Sequence, residues 1–218
     1  MTHSTKPRRR GRPKSDDRSV STREEILDGA LAAFAELGYD GMSMRVLAAR
    51  IGISHGLIPA RFGTKEALWR AAVDQGMERL ADNIGDLSDV DTAAEKLRIA
   101  SSHLLLSLWE FPAILQLINS EGSRDSERLD YILATPAHEN MRTRLQEIID
   151  EGVAAGEFRP VSASLVFLMI AHGGGAALCL KPLSTKIDLL STANDEQHHE
   201  IVASVADVVV RGISHQSH

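Results

Sequence analysis

Between Thr22 and Leu68, apolar stripes of helical period are broken at Gly38, Gly52 and Gly63, and this rhythm constrains the fold more than any other part of the chain. Ser21 or Thr22 can cap a first helix, with Glu24 or Glu25 three residues on to complete a capping box. Ile26, Leu27, Ala30, Leu31 and Phe34 then share one face. Gly38 stands where a left-handed stop belongs, and Tyr39-Asp40-Gly41 continues the turn. Ser43 caps a second helix with Met44, Leu47, Ala48 and Ile51 inward, and Gly52 supplies the positive φ of a sharp turn. Ser54 is the expected cap of a third helix, which ends on the apolar anchor Phe62. Thr64 caps a fourth helix that continues beyond Leu68. Two short helices joined by a three- or four-residue turn containing glycine make a helix-turn-helix, whose second helix enters a DNA major groove.

The segments TREEIL, AAFAELGYDGMSM, LAARIGIS and RFGTKEAL, taken in that order, resemble the N-terminal domain of the TetR family of bacterial transcriptional regulators. The likeness covers about sixty residues; the remainder matches in length and helical character. It implies an all-α protein, with an N-terminal three-helix helix-turn-helix domain and a larger helical domain for effector binding and dimerisation. The expected divisions are a basic arm at 1–20, the DNA-binding domain at 21–66 and the effector and dimerisation domain at 67–213. A helical hairpin of an ordinary all-α protein is the bland alternative.

One departure from the family stands out. Its recognition helix usually reads close to lysine-glycine-threonine-leucine-tyrosine-histidine-histidine-phenylalanine, whereas this chain has His55-Gly56-Leu57-Ile58-Pro59-Ala60-Arg61-Phe62. Pro59 falls where a tyrosine commonly touches phosphate. Inside a helix, proline costs about 3 kcal/mol and biases the preceding residue away from helical geometry. Either the third helix is kinked after one turn, or its regular part begins near Pro59. Arg61 is the expected base reader, since a guanidinium can pair bidentately with guanine. His55 and Ala60 are second choices, with Gly56 and Leu57 beside them. Arg45 and Lys65 are expected on phosphates, and the capping residues Ser43, Ser54 and Thr64 are counted among the DNA-binding residues.

Net charge is −6, which alone argues against nucleic acid, but its distribution reverses that. Residues 1–70 carry 13 Lys+Arg against 8 Asp+Glu, and residues 71–218 carry 11 against 22. A basic head on an acidic body has one DNA-facing end, because phosphate affinity depends on local charge. The first twenty residues, poor in apolar side chains, are expected to be disordered without DNA. Their Arg10-Gly11-Arg12-Pro13 core resembles an AT-hook, with Arg10 and Arg12 suited to a narrow minor groove.

The body reads as further helices at about 92–110, from Pro112, at 126–134, 137–155, 162–180 and 196–212. By the resemblance, the last two long helices pair with their mates in a homodimer. Gly173-Gly174-Gly175 gives a local reason, since backbones can approach closely there, or the helix kinks; packing within the chain alone is the alternative. A small-molecule effector of unknown identity is expected among the middle helices. Candidate lining residues are Leu105, Trp109, Phe111, Leu117, Met141, Phe167, Met169 and His172, all of which also suit plain core positions.

Cys179 is the single cysteine, so no disulfide framework or cysteine metal cluster is expected, in keeping with a reducing cytoplasm. No signal-peptide h-region precedes the head, and the apolar run from Leu165 to Leu180 is too short and interrupted for a membrane span. Neither a P-loop nor a nucleophile elbow is present, and Ser101-Ser102-His103 is not a triad. Neither cofactor, metal site nor catalytic residue is therefore expected. The expected function is a cytoplasmic, dimeric, effector-responsive repressor of double-stranded DNA. An activator, or a dimeric small-molecule-binding protein whose head has lost sequence reading, is the alternative.

Overall fold

The computed structural model describes residues 22–82, 85–190 and 195–215. The expectations for the basic arm, Arg10 and Arg12 included, lie outside them. Helix α1 (Arg23–Gly41) starts on the anticipated capping box: the Thr22 hydroxyl accepts from the Glu25 N–H at 3.1 Å, and the Glu25 carboxylate accepts from the Thr22 N–H at 2.8 Å. Gly38 leaves helical geometry at φ 71°, so Tyr39 to Gly41 form a separate turn. Ser43 caps α2 (Met44–Arg50) through the Val46 N–H. Gly52 then reverses the chain at φ +73°. No atom crowds the position of a Cβ there, so the dihedral alone governs substitution. Gly52→Ala is expected to cost about 1–2 kcal/mol, seen as a lower denaturant midpoint at unchanged m-value.

Helix α3 spans Leu57–Phe62, and its cap differs from the expectation. Ser54 does not cap it; its carbonyl accepts from the Leu57 N–H in a preliminary turn, and Gly56 occupies the cap position without a side-chain bond. Pro59 consequently lies in the first helical turn, where backbone N–H groups have no intrahelical partner. The first helical bond runs from the Ala60 N–H to Gly56 at 3.2 Å, so proline sacrifices nothing and no kink follows. Thr64 caps α4 (Lys65–Asp82) as anticipated.

The body continues with α5 (Ala93–Glu110), α6 (Pro112–Gly122), α7 (Glu127–Leu133) and α8 (Pro136–Ala154). Beyond a loop come α9 (Ala163–Leu168), a π-helical stretch Met169–Gly174 and α10 (Gly175–Cys179), running on as one rod. Leu180 breaks the rod at ψ 53°, close before Pro182, and α11 (Lys181–Lys186) follows, a helix the apolar pattern did not announce. Helix α12 (Asp195–Ile213) closes the chain. Among the described residues there is no strand, only one bridge between Phe158 and Ser214.

One core runs through the molecule. In the head, Ile26, Ala30, Phe34, Leu47, Ile58 and Leu68 are almost fully buried; in the body, α5 packs between α8 and α12. Helices α4 and α6 both lie against α1, so head and body share a seam. The glycine triplet acts within the chain. A Cβ on Gly174 would stand 2.4 Å from Val205, and one on Gly175 would stand 3.0 Å from Leu108. Gly173 faces open space, so packing within the chain accounts for Gly174 and Gly175.

Candidate nucleic-acid interface and effector cavity

The short α3 divides cleanly. Within it Ile58 and Phe62, four residues apart, are buried against the head, while Pro59, Ala60 and Arg61 are exposed and Leu57 is half-buried; His55 and Gly56 are exposed in the turn ahead of it. This follows from helical period, since i and i+4 share a face. Around this outward face stand the exposed Arg45 at the start of α2 and the exposed Ser43, Ser54 and Thr64. The Ser43 and Thr64 hydroxyls accept from Val46 and Ala67 N–H groups, leaving each O–H able to donate. Lys65 is half-buried, its ammonium 4.4 Å from the centre of the Tyr39 ring.

A second feature lies in the body. A cavity of about 490 Å³ opens between α4, α6, α7, α8, α9 and the π-helical stretch. Of the residues expected around an effector, Met141, Phe167 and His172 line it. The π-helical stretch carries His172, and such local unwinding is frequent at functional sites. The other five lie elsewhere. Leu105 and Leu117 are buried in helix–helix core, and Met169 faces outward. The Trp109 ring packs 3.8 Å from that of His198 with Lys181 above it, and Phe111 lies under the Arg79 guanidinium. Met77, Leu129, Ile132, Leu133, His138 and Leu145 are lining residues that the sequence pattern did not single out. Behind Met141, Leu145 and Phe167, a further void of about 20 Å³ reaches Ser101. Its hydroxyl is buried with no hydrogen-bond partner among the described residues.

Helix α7 stands between cavity and head. Leu129, Ile132 and Leu133 line the cavity, and by the 100° step of a helix their mean direction lies about 120° round from that of Arg128 and Tyr131. The Arg128 guanidinium lies 4.6 Å from the centre of the Tyr39 ring, which also carries Lys65. Its Nε donates at 3.1 Å to Glu121, a carboxylate only 3% exposed. Tyr131 packs against Trp69 and donates to Asp74 on α4 at 2.9 Å. Burial first, and then that hydrogen bond, pushes its phenol above the ordinary value, so it stays protonated and keeps donating.

Residues 26–72 match the family described as bacterial regulatory proteins, tetR family, and residues 94–209 match the tetracyclin repressor-like C-terminal domain. The chain belongs to the TetR family. Among curated relatives, the HTH-type transcriptional repressor AcnR of Corynebacterium efficiens is 40% identical over 70 residues, covering 32% of this chain and 37% of that protein. The chain thus spans just over a third of the AcnR length. The regulatory protein RaaS of Mycobacterium tuberculosis is 26% identical over 89% of this chain and 87% of its own. In fold, the TetR-family chain is similar to the ketosteroid transcriptional regulator KstR2 of M. tuberculosis, with TM-score 0.68 at 20% identity, covering 90% of this chain and 97% of that one. A putative fatty acid metabolism regulator of Clostridium perfringens gives 0.69 at 19%, covering 88% and 99%. Among the described residues of this TetR-family chain, no helix is long and apolar enough to cross a membrane, and no group of three metal-ligating side chains converges.

Proposed function

We propose that the chain is a cytoplasmic, effector-responsive transcriptional repressor that binds a pseudo-palindromic operator as a homodimer. The outward face of α3 carries the reading: Arg61 and Ala60 are exposed on a helix whose other face is pinned by Ile58 and Phe62, with His55 exposed in the turn just ahead of it. Arg61 reads a base, Arg45 and Lys65 hold phosphates, and Ser43, Ser54 and Thr64 seat the backbone. Gly56 and Leu57 let the helix approach the groove. Arg10 and Arg12 add minor-groove contacts from the arm. A protein whose head has lost sequence reading was suggested by Pro59, but Pro59 sits in the first turn and breaks no helical bond.

Dimerisation through the rod containing α9 and through α12 is supported by Leu165, Leu168, Met169 and Val208, large apolar side chains exposed on them. The effector site is the cavity holding Met141, Phe167 and His172, and coupling runs through α7. Filling the cavity displaces Leu129 and Ile132, moves Arg128 and Tyr131 on the same short helix, and shifts Tyr39 with Lys65. A change in head separation then costs the dimer its fit to half-sites spaced by a helical turn.

Fluorescence anisotropy of the full chain on its own upstream DNA, beside scrambled DNA and across a salt series, tests the reading. Arg61→Ala is expected to lose about 5- to 150-fold on specific DNA, the equivalent of one bidentate base contact, with little change on scrambled DNA. Equal, steeply salt-dependent binding to both DNAs would leave phosphate attraction alone and sink the sequence-reading role.

A further inference from the structure

The lining of the cavity discriminates among ligand chemistries. Its inner wall is apolar: Met77, Ile132, Met141 and Leu145 are each less than a tenth exposed. Polar side chains gather where the lining meets solvent, with Asn119, Ser123, Arg142 and Ser164 exposed and His138 and His172 half-buried. The lining contains an arginine and two histidines and no Asp or Glu.

Outside the lining, Glu139 on α8 is engaged by Arg142 through Nε at 3.0 Å and a second nitrogen. A guanidinium has five N–H donors, so three remain for another acceptor. His138 Nδ1 lies 3.0 Å from the Leu133 carbonyl, which can only accept. That contact assigns the proton to Nδ1, so the neutral ring presents Nε2 as an acceptor and Arg142 is the charged donor of the lining.

An apolar body in such a cavity gains about 25 cal/mol for each Å² taken from water. A cationic group would shed hydration and find no anion among the lining residues, which is costly. An anionic head at the mouth would instead meet charge-assisted donors while keeping part of its hydration.

We propose that the cavity takes an amphiphile with one anionic head, of the long-chain carboxylate class, its apolar body against Met77, Ile132, Met141 and Leu145 and its carboxylate at Arg142 and His172. Cationic amphiphiles are excluded. The proposal rests on the reading of this cavity as the effector site.

Calorimetric titration of the full-length protein with dodecanoate, methyl dodecanoate and dodecyltrimethylammonium, each below its micelle concentration, separates head charge from tail. Dodecanoate is expected to bind at least tenfold more tightly than the other two. Arg142→Ala, an exposed change checked for folding by circular dichroism, should lose about tenfold on dodecanoate and nothing on the ester. Glu139→Gln should tighten dodecanoate by freeing the guanidinium. Binding of the ester or the cation as tight as dodecanoate, equal losses on all three in Arg142→Ala, or no binding of any would overturn the proposal. DNA release by dodecanoate is read separately by anisotropy. Dodecanoate binding without release refutes the coupling and leaves the ligand class standing, whereas DNA binding without dodecanoate binding refutes the ligand class alone.

Discussion

Replacing Phe158 by alanine is expected to lower stability by about 3–5 kcal/mol, the range for emptying the space of a buried phenylalanine. Phe158 is fully buried, and its ring occupies the space a side chain at Gly152 would need, 2.1 Å from a Cβ built there. Around it three helix ends are fastened together. The Glu157 and Phe158 N–H groups donate to the Gly152 carbonyl at 2.8 and 3.1 Å, closing α8 across Gly156 at φ +73°. Arg159 N–H donates to Ile213 and His215 N–H to Glu157, both at 2.9 Å, which ties down the end of α12. The Glu157 carboxylate accepts from the Ala93 and Ala94 N–H groups at the start of α5. Loss of the ring should therefore loosen a joint as well as open a cavity. Chemical denaturation gives the magnitude, and hydrogen exchange should show faster exchange at Ala94, Arg159 and His215 with little change in α1 to α3. Gly152→Ala should destabilise by overpacking the same contact. A Phe158→Ala cost below about 1 kcal/mol, outside the range expected for such a site, would mean that the joint does not depend on the ring.

Arg128→Ala is expected to cost about 3 kcal/mol, the lower end for stripping the partner from a buried ion. Glu121 is 3% exposed and among the described side chains would retain Ser126 Oγ at 3.3 Å, a weak replacement for a guanidinium. Because Arg128 is itself 28% exposed, water entering its place offsets part of the loss. The cation over the Tyr39 ring adds about 0.5–1 kcal/mol. The double variant Glu121→Gln, Arg128→Ala removes the stranded charge and should recover most of the stability. In a double-mutant cycle the coupling energy between the positions should then exceed about 1 kcal/mol. Simple additivity would show that the pair does not carry the effect. The recovered double variant also isolates the α7 contact with the head. If coupling runs through Arg128, it should bind operator normally yet release it less completely when the cavity is filled.

The head was legible in the sequence because its determinants are local. The Thr22 capping box, the Ser43 and Thr64 caps, and the reversals at Gly38, Gly52 and Gly63 each involve residues within three or four positions or a single dihedral. The Ser54 cap failed for an equally local reason. A polar residue shortly before an apolar run can cap a helix or begin a turn ahead of it, and here the turn from Ser54 through His55-Gly56 intervenes. The effector residues fared differently. Leu105 and Leu117 carry the same helical periodicity as Ile132 and Leu145, yet the first two fill core and the second two face a void.

By itself, then, the sequence determined the all-α class, the helix-turn-helix head, its exposed Arg61 and the basic-head, acidic-body division, since period, caps and charge are properties of short stretches. Only tertiary structure decided which apolar side chains surround the cavity, that Glu157 caps α5 from more than sixty residues away, that the glycine triplet receives Val205 and Leu108 of its own chain, and that α7 touches both cavity and head. An apolar stripe specifies that a side chain leaves water. What it meets on the other side depends on how helices distant in sequence pack against one another.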